Sequence, residues 1–388
     1  MGASSHAPGA ATPGTGARPL RILYVTPRYL PERGGTEVHT SEVARRMAER
    51  GAEVGVLTTF RGPEPPPEEE DGGAVPVRRV RAWPRRSDYF FAPSLPSAIR
   101  AARPDLVHCQ SYHTFVAPMT MLTALRASIP YVVTLHSGGH ASRMRMRLRP
   151  LHVRLLRPLL LRARALIAVS AFEADLFARR LGVAPERFTV IPSGIDLPPV
   201  ANPAPPVDPT LILSIGRLES YKGHDRVIAA LPALRRRRPG TRLRIVGSGP
   251  YEAQLRLLAS RLGVADAVVI EPIASDDRGK LAELLSRTAV VTALSEYESQ
   301  GLAVQEAIGL GRPVVVTEGS ALDELAGYPS VVTVAAEAGA DDVADAVSRV
   351  LDAAPAPAPA LQTWDACAAA LWEVYGAVLG SGADADAG

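Results

Sequence analysis

The sequence feature that most constrains the fold is an alternation of short apolar runs with amphipathic helical segments, which occurs twice along the chain. The two series are separated by residues 198–209, PPVANPAPPVDP, in which six residues are proline. Proline lacks a backbone N–H and fixes φ, so this segment continues neither a helix nor a central strand. The sequence therefore predicts two parallel α/β domains, residues 19–197 and 210–352, joined by a linker.

Each predicted domain contains several strand candidates with helical segments between them. In the first domain the strands are predicted at Arg21–Val25, Glu53–Thr58, Leu106–His108, Tyr131–Leu135, Leu166–Val169 and Phe188–Ile191. In the second domain they are predicted at Leu211–Ile215, Leu243–Val246, Val268–Ile270, Ala289–Thr292 and Pro313–Thr317. Ligands of open α/β sheets bind beyond the carboxyl ends of the strands, so the cleft between the domains is the expected site.

The two ends of the chain differ from the domains in composition. Residues 1–18 are rich in Gly, Ala, Ser and Pro and are predicted to be a disordered tail, as are residues 381–388. A second Pro/Ala spacer, residues 353–361, precedes a helix predicted at 363–380. We expect this helix to return to the N-terminal domain.

Composition excludes several classes of protein. Apolar residues make up 47% and charged residues 21%, and no apolar run approaches the length of a membrane span. The N-terminus has no apolar core typical of a secretory signal. Cys109 and Cys367 are far apart and lack partners at metal spacing, which argues against structural zinc or a disulfide framework and indicates a cytoplasmic protein. The net charge of +3 is low for a nucleic-acid-binding protein.

A glycine pair follows the first strand, in the sequence TPRYLPERGGTEVHT. Gly34 and Gly35 precede a helix predicted to begin near Thr36. Glycines let the backbone approach a ligand closely, and the exposed amides of a helix N-terminus favour an anion. The alternative is an ordinary turn between a strand and a helix.

The loop after the first strand of the second domain, GRLESYKGHD, holds Gly216, Arg217 and Lys222. A guanidinium and an ammonium group at the carboxyl end of a strand suit a diphosphate. The alternative is two solvated cations. The later sequence VGSGPYE suggests a dinucleotide fold, but Glu252 occupies the place of the third glycine of GxGxxG, so a nicotinamide site is weakly supported.

Two carboxylates lie close together in SEYESQGLAVQEA, where seven residues separate Glu298 from Glu306. Gly301 is expected to open a helix, so the amides of Gly301 and Leu302 are available to phosphate oxygens. Each acid also has a structural interpretation, because an acid near a helix N-terminus stabilises the helix dipole by roughly 0.3–1 kcal/mol. That interpretation does not account for Glu298, which lies outside the helix.

In order along the chain, the motifs GGTE, VIPSGID, GRLESYKG, GSGP and ESQGLAVQE resemble those of one family. It is the retaining, nucleotide-sugar-dependent glycosyltransferases of family 4, also called glycosyl transferases group 1. The resemblance covers about residues 20–380. It implies a GT-B fold, in which two Rossmann-like domains face a deep cleft, with the acceptor domain first and the nucleotide-sugar domain second.

The resemblance also implies roles for individual residues. Arg217 and Lys222 would bind the diphosphate, together with Gly216 and the amides of Gly301 and Leu302. Glu306 would accept hydrogen bonds from the ribose, and Glu298 would hold sugar hydroxyls near the reacting carbon. Gly34 and Gly35 would approach the phosphates from the other domain, and His136 would lie near the donor sugar and the acceptor.

The implied reaction transfers a hexose-type sugar from a UDP- or GDP-sugar to a hydroxyl acceptor with retention, without a cofactor or a bound metal. The acceptor could be a lipid, a polysaccharide end or a small natural product. Alternatives are a nucleotide-sugar epimerase, a phosphorylase of similar fold and a non-catalytic nucleotide-sugar-binding subunit. The chain departs from the family pattern at Ser299, Gln300, Ser193 and Gln110. The first two of these leave the sugar undefined.

Residues 140–166 contain eight arginines and no acid, with leucines and methionines between them. One interpretation is a helix that lies on an anionic membrane, since each arginine near such a surface contributes roughly 1 kcal/mol. The alternative is a solvated helix. Nucleic acid is disfavoured because few aromatic residues accompany the arginines.

Overall fold

The chain forms two α/β units, seen in a computed structural model. The structure describes residues 18–32, 34–64, 75–85, 90–137, 143–196, 205–274, 277–353 and 357–383. Every strand ladder in both sheets is parallel. The α/β class predicted from the alternating apolar pattern is therefore confirmed.

The N-terminal unit is built on a sheet of seven strands. They are Arg21–Val25 (β1), Glu53–Phe60 (β2), Val77–Arg81 (β3), Leu106–Gln110 (β4), Tyr131–Thr134 (β5), Ala165–Ala168 (β6) and Phe188–Val190 (β7). Their order in the sheet is β3-β2-β1-β4-β5-β6-β7. The helices are Gly35–Glu49 (α1), Leu95–Ala102 (α2), Val116–Arg126 (α3), Arg143–Leu160 (α4) and Ala171–Leu181 (α5).

The C-terminal unit is built on a sheet of six strands. They are Asp208–Ile215 (β8), Arg242–Val246 (β9), Val268–Glu271 (β10), Thr288–Ala293 (β11), Val314–Thr317 (β12) and Val331–Val334 (β13). Their order is β10-β9-β8-β11-β12-β13. The helices are His224–Arg237 (α6), Glu252–Arg261 (α7), Arg278–Arg287 (α8), Leu302–Gly309 (α9) and Ala340–Asp352 (α10), and Trp364–Ala383 (α11) follows.

Both faces of each sheet carry apolar side chains, so helices cover both faces. In the N-terminal unit, α2 to α5 pack on the face that carries Leu23 and Val25. The opposite face, with Ile22 and Tyr24, is covered by α1 and α11. In the C-terminal unit, α6, α7 and α10 cover one face, whereas α8 and α9 cover the other.

Two edge strands, β3 and β13, were missed by the sequence prediction. Strand β3 has the sequence VRRVR, in which only Val80 is buried, so its apolar pattern is weak. Strand β13 has only four residues and is an edge strand of the other sheet, where it pairs with β12. Edge strands pair on one side only, which fits the weak apolar pattern of β3.

Several predicted boundaries also shift. Strand β8 begins at Asp208, inside the predicted linker, because proline is tolerated at the start of a strand. Helix α11 runs to Ala383, beyond the predicted end at residue 380. Arg18 lies in the predicted tail, yet its guanidinium forms hydrogen bonds of 2.8 and 2.6 Å with the two carboxylate oxygens of Asp105. The remainder of that tail lies outside the described residues.

The basic segment 140–166 is not one helix. Helix α4 ends at Leu160, and Ala165 begins strand β6. Residues 140–142 lie outside the described part of the chain. Within the helix, Val153, Leu156 and Leu160 are buried in the core beside the sheet.

Helix α11 completes the core of the N-terminal unit, although it follows the C-terminal one in sequence. The hydroxyl of Tyr375 lies 2.8 Å from the hydroxyl of Tyr24 and 2.6 Å from Nδ1 of His108. Arg46 of α1 donates to Asp365 at 2.7 Å. The backbone also approaches closely, since a Cβ added at Gly194 would lie 2.1 Å from the backbone nitrogen of Trp364. Gly194 therefore determines how near the helix can come.

We predict that Gly194→Ala lowers the free energy of unfolding by about 1–3 kcal/mol, because the added methyl group overlaps the backbone of Trp364. The measurement is urea unfolding. Gly376→Ala is the matched control, because no atom lies within 4 Å of a Cβ added there on α11. The control should be neutral or more stable by about 0.5–1 kcal/mol. Equal stability of the two variants would contradict the role of Gly194.

Candidate active site

The predicted site residues come from the carboxyl ends of strands in both sheets. Gly34 and Gly35 follow β1, and His136 follows β5. Arg217 and Lys222 follow β8, and Glu298 follows β11. Because all strands of a parallel sheet end at the same edge, these side chains are gathered at the edges through which the two units meet.

The loops of the C-terminal unit pack backbone against backbone. Gly216 has a φ of 153°, in a region that favours glycine. A Cβ added at Gly247 would lie 1.9 Å from the carbonyl oxygen of Gly216, and one at Gly249 would lie 2.4 Å from that of Leu218. The glycines of GSGP therefore support the Arg217 loop, which explains them without a dinucleotide.

Lys222 and Glu298 form an ion pair in which Nζ lies 2.6 Å from the Oε2 atom of Glu298. The side chains are 15% and 23% exposed, so solvent screens the pair little. Burial lowers the pKa of Lys222, but the charge and hydrogen bond of Glu298 raise it more, and the net shift is upward. Lys222 is therefore a fixed positive charge beside a carboxylate that can also accept from hydroxyl groups.

Arg217 is held by its own loop. Its Nη2 atom donates to the hydroxyl of Tyr221 at 2.7 Å, and its Nη1 atom lies 2.7 Å from Glu219. Its side chain is 61% exposed, so it remains accessible. Burial raises the pKa of Glu37 in α1, and the charge of Arg217 is one of the influences that oppose this. Arg217 thus acts across the domain boundary, on the helix that Gly34 and Gly35 begin.

Helix α9 begins where the sequence predicts. Gly301 is its N-cap with a φ of 73°, and Leu302 is its first residue. The positive φ favours glycine there, and a Cβ at Gly301 would lie 2.6 Å from the end of the Leu322 side chain, which would have to shift. The first N–H groups of a helix have no intrahelical acceptor and can receive phosphate oxygens.

Glu306 has a partner that the sequence did not indicate. Its Oε1 atom accepts from Arg278 at 2.7 Å, and Arg278 also donates to the carbonyl of Asp196 at 3.2 Å. Burial raises the pKa of Glu306, and Arg278 opposes that shift. Arg278 begins α8 in the polar sequence SDDRGK, which is typical of a helix start on the surface and carries no ligand signal.

His136 lies on the N-terminal side with a φ of 46°, unusual for a non-glycine residue. Its Nε2 atom is 2.7 Å from Oε1 of Gln110, and its ring meets that of His39 edge-on at 4.6 Å. Burial, followed by the neighbouring histidines, lowers its pKa well below the usual range. His136 is therefore a neutral hydrogen-bonding group at neutral pH.

Two sets of contacts across the cleft were absent from the sequence analysis. Oε1 of Gln300 accepts from the backbone N–H of Ser193 at 3.0 Å, and its Nε2 atom donates to the Ser193 carbonyl at 2.9 Å. Tyr297 donates to the hydroxyl of Ser137 at 2.6 Å. Glu298 and His136 are the chain neighbours of Tyr297 and Ser137, so these loops are connected through adjacent residues.

The structure thus gathers Gly216, Arg217, Lys222 and Glu298 into one cluster, and Gly34 and Gly35 lie at the start of α1, the helix that carries Glu37. Glu306 pairs instead with Arg278, and His136 is joined to the cluster indirectly. Two cations and a helix N-terminus suit a diphosphate, and carboxylates suit hydroxyl groups. Within the described residues, no group of three or more His, Cys, Asp or Glu side chains is placed to hold a metal ion.

Comparison with known protein families agrees with this arrangement. Residues 33–198 match the family described as Glycosyltransferase Family 4, and residues 201–359 match Glycosyl transferases group 1. The chain belongs to glycosyltransferase family 4. The family predicted from the order of the motifs is confirmed, as is the assignment to enzymes that transfer sugars.

Proteins that are similar to this chain have names that specify different substrates. The chain is 32% identical to the D-inositol 3-phosphate glycosyltransferase of Nocardiopsis dassonvillei, over 76% of each chain. It is 28% identical to the GDP-mannose:cellobiosyl-diphosphopolyprenol alpha-mannosyltransferase of Xanthomonas oryzae, over 82% of each. The structure of sucrose-phosphate synthase from Thermosynechococcus elongatus superimposes with a TM-score of 0.76 at 22% identity, covering 93% of this chain and 100% of that one. The predicted GT-B fold is confirmed.

We predict that the buried histidines of this glycosyltransferase contribute stability that is lost as pH decreases from about 6.5. Burial lowers the pKa of His39 to about 4, and those of His108 and His136 well below 6.5. Between these values the unfolded chain binds protons that the folded chain does not, so stability rises with pH. Urea unfolding at pH 5.5–7.5 measures the slope. His39→Asn should reduce it, and an unchanged slope would contradict the buried, neutral state of His39.

Proposed function

We propose that this glycosyltransferase transfers a hexose from a UDP- or GDP-sugar to a hydroxyl acceptor, with retention of configuration and without a bound metal. The observation that carries the proposal is the partly buried Lys222–Glu298 ion pair beside Arg217. Two neighbouring positive charges suit a diphosphate, and the adjacent carboxylate suits sugar hydroxyls. The N-terminus of α9 lies in the same loop system, after Glu298.

In this proposal, Arg217, Lys222 and the amides of Gly301 and Leu302 hold the diphosphate. Negative charge on the diphosphate increases as the bond to the sugar breaks, and fixed cations stabilise it without reorganisation. Glu298 keeps Lys222 charged and in place, and accepts hydrogen bonds from the sugar. Glu306 accepts hydrogen bonds from the ribose hydroxyls and also from Arg278.

His136 would act as a neutral group near the reacting carbon. Burial keeps its imidazole uncharged, so it contributes a hydrogen bond and not a positive charge. The contact to Gln110 occupies its Nε2 atom and fixes the ring. The acceptor would approach from this side, next to the N-terminal unit, which supplies His136 and helix α4.

A second proposal concerns the presentation of the acceptor. Three exposed leucines, Leu148, Leu151 and Leu155, are 52%, 55% and 71% exposed and lie along one stripe of α4. The exposed Arg147 and Arg154 lie beside this stripe on the same helix. No helix in the described part of the chain is long and apolar enough to cross a membrane. We propose that this stripe lies on an anionic membrane and that the acceptor is a lipid.

The proposed location is the cytoplasm, at the inner face of its membrane. Cys109 and Cys367 are both buried free thiols, which is compatible with a reducing compartment. Burial raises the pKa of each thiol to about 12. They therefore stay protonated and take no part in the proposed reaction.

Lys222→Ala should lower kcat by at least about 100-fold, the usual effect of removing one group that stabilises transition-state charge. Lys280→Ala is the matched control, because Lys280 is an exposed lysine on α8. Thermal shift with UDP, GDP, ADP, TDP and their sugars first identifies the donor, since a ligand at 100 times its Kd stabilises the fold by about 2.7 kcal/mol. Sugar transfer and donor hydrolysis are then measured for both variants.

The results separate the alternatives. Near-normal turnover of Lys222→Ala would overturn the diphosphate role. Conversion of the donor sugar without an acceptor would identify an epimerase. Donor binding without hydrolysis or transfer to any acceptor tested would indicate a binding subunit.

The membrane proposal predicts that the protein sediments with phosphatidylglycerol vesicles at low salt and is released at high salt. The double variant Leu151→Ser, Leu155→Ser should bind at least about tenfold more weakly, since each leucine contributes roughly 1.5–3 kcal/mol when buried. The matched control is Leu257→Ser, Leu262→Ser, at sites 50% and 38% exposed on or beside α7. Equal binding by both double variants, or no sedimentation of the wild type, would exclude the stripe on α4.

A further inference from the structure

Glu173 is a fully buried carboxylate that the proposed reaction does not use. It lies in the first turn of α5 and is 0% exposed. Its Oε1 atom accepts from the backbone N–H and the hydroxyl of Ser137, the former at 2.5 Å. Its Oε2 atom accepts from the N–H of Val169 at 2.9 Å. A buried carboxylate needs such donors, and two of the three bonds hold Ser137 in place.

These contacts determine the direction of the next hydrogen bond. The single hydroxyl hydrogen of Ser137 is donated to Glu173, so the Ser137 oxygen is left as an acceptor. It accepts from the hydroxyl of Tyr297, 2.6 Å away in the C-terminal unit. The chain Tyr297–Ser137–Glu173 therefore runs across the domain boundary with every hydroxyl in one defined orientation.

The ring of Tyr297 is also held by the N-terminal unit. It is 9% exposed and meets the ring of Phe172 edge-on at 5.8 Å. The guanidinium of Arg149 lies 5.6 Å from its centroid. Packing thus places the ring, while its hydroxyl makes the polar connection to Ser137.

Tyr297 and Ser137 are each next in sequence to a candidate site residue. Tyr297 directly precedes Glu298, which pairs with Lys222 at 2.6 Å. Ser137 directly follows His136, whose backbone has a positive φ of 46°. A shift of either residue moves its neighbour by a similar amount. The buried hydrogen-bond chain therefore connects the loops that carry Glu298 and His136.

We propose that Tyr297, Ser137 and Glu173 are positioning residues that hold Glu298 and His136 in register for sugar transfer. The inference rests on the proposed function, because it assigns both neighbours to the reacting sugar. Misplacement of reacting groups by about 1 Å can cost about 100-fold in rate. Binding of the diphosphate depends on Arg217 and Lys222 and should be affected much less.

The test is Tyr297→Phe, which keeps the ring and removes only the hydroxyl. We expect kcat to fall by about 10- to 100-fold, with the donor Kd from thermal shift changed less than about threefold. Ser137→Ala should lose a similar factor, and the double variant should be no slower than the slower single one. Ser137→Thr, which retains a hydroxyl, should recover most of the kcat.

Tyr131→Phe is the matched control. It removes another tyrosine hydroxyl bond, of 2.5 Å to the carbonyl of Leu159, inside the N-terminal unit. This variant should be less stable to urea while its kcat stays within about twofold of wild type. A kcat loss in Tyr297→Phe no larger than in Tyr131→Phe, or single losses that multiply in the double variant, would overturn the proposal.

Urea unfolding distinguishes failure of this inference from failure of the proposed function. The unfolding midpoints of Tyr297→Phe and Ser137→Ala should be non-additive, whereas Tyr297→Phe and Tyr131→Phe should add. Coupled midpoints in a protein that transfers no sugar from any donor would refute the function and with it the positioning role. Additive midpoints in an active enzyme would refute the hydrogen-bond chain alone.

Discussion

The parallel orientation of every strand is the constraint on which the rest of this structure depends. It places all carboxyl ends of a sheet at one edge, so residues distant in sequence reach the same loop system. Gly216, Lys222 and Glu298 meet in this way, although β8 and β11 are separated by more than 70 residues. The same constraint leaves each sheet open on two faces, and helices must cover both. Helix α11 supplies part of that cover for the N-terminal unit after the chain has completed the C-terminal one.

The Lys222–Glu298 pair illustrates how the loops are held once they are brought together. Two largely buried charges are costly to desolvate, and the pair has little value for stability unless its geometry is good. Here Glu298 holds the ammonium group of Lys222, and the backbone beside Lys222 is held as well. The next residue, Gly223, has a φ of 71° and lets the backbone pass against the Leu294 carbonyl. Such close approach would place a Cβ 2.0 Å from that oxygen. The glycines of the loop therefore serve the placement of the charge pair, and this fits the ligand-binding role that we propose for it.

The parts of the fold that could be predicted were those determined by local pattern. Apolar periodicity identified both α/β units, and glycine and proline marked the helix starts and the linker. Strand β3 was missed because arginines interrupt its apolar pattern, and Arg278 because its surroundings are typical of a solvated helix start. The contacts of Gln300 and Tyr297 could not be predicted, since they depend on how two units sit against one another. No spacing in the sequence specifies that arrangement.

The departures from the family pattern are connected in the structure. Gln300 forms two hydrogen bonds with the backbone of Ser193, and the Ser193 hydroxyl lies 2.9 Å from Nδ1 of His39. The ring of His39 packs against His136, whose Nε2 atom contacts Gln110. Three positions that differ from the usual residues thus belong to one continuous set of contacts around the cleft. A change at one of them alters the partners of the next, so they are best understood as a matched group. Their effect on sugar recognition would then come through His136 and the loop of Glu298, and not through separate contacts with the donor.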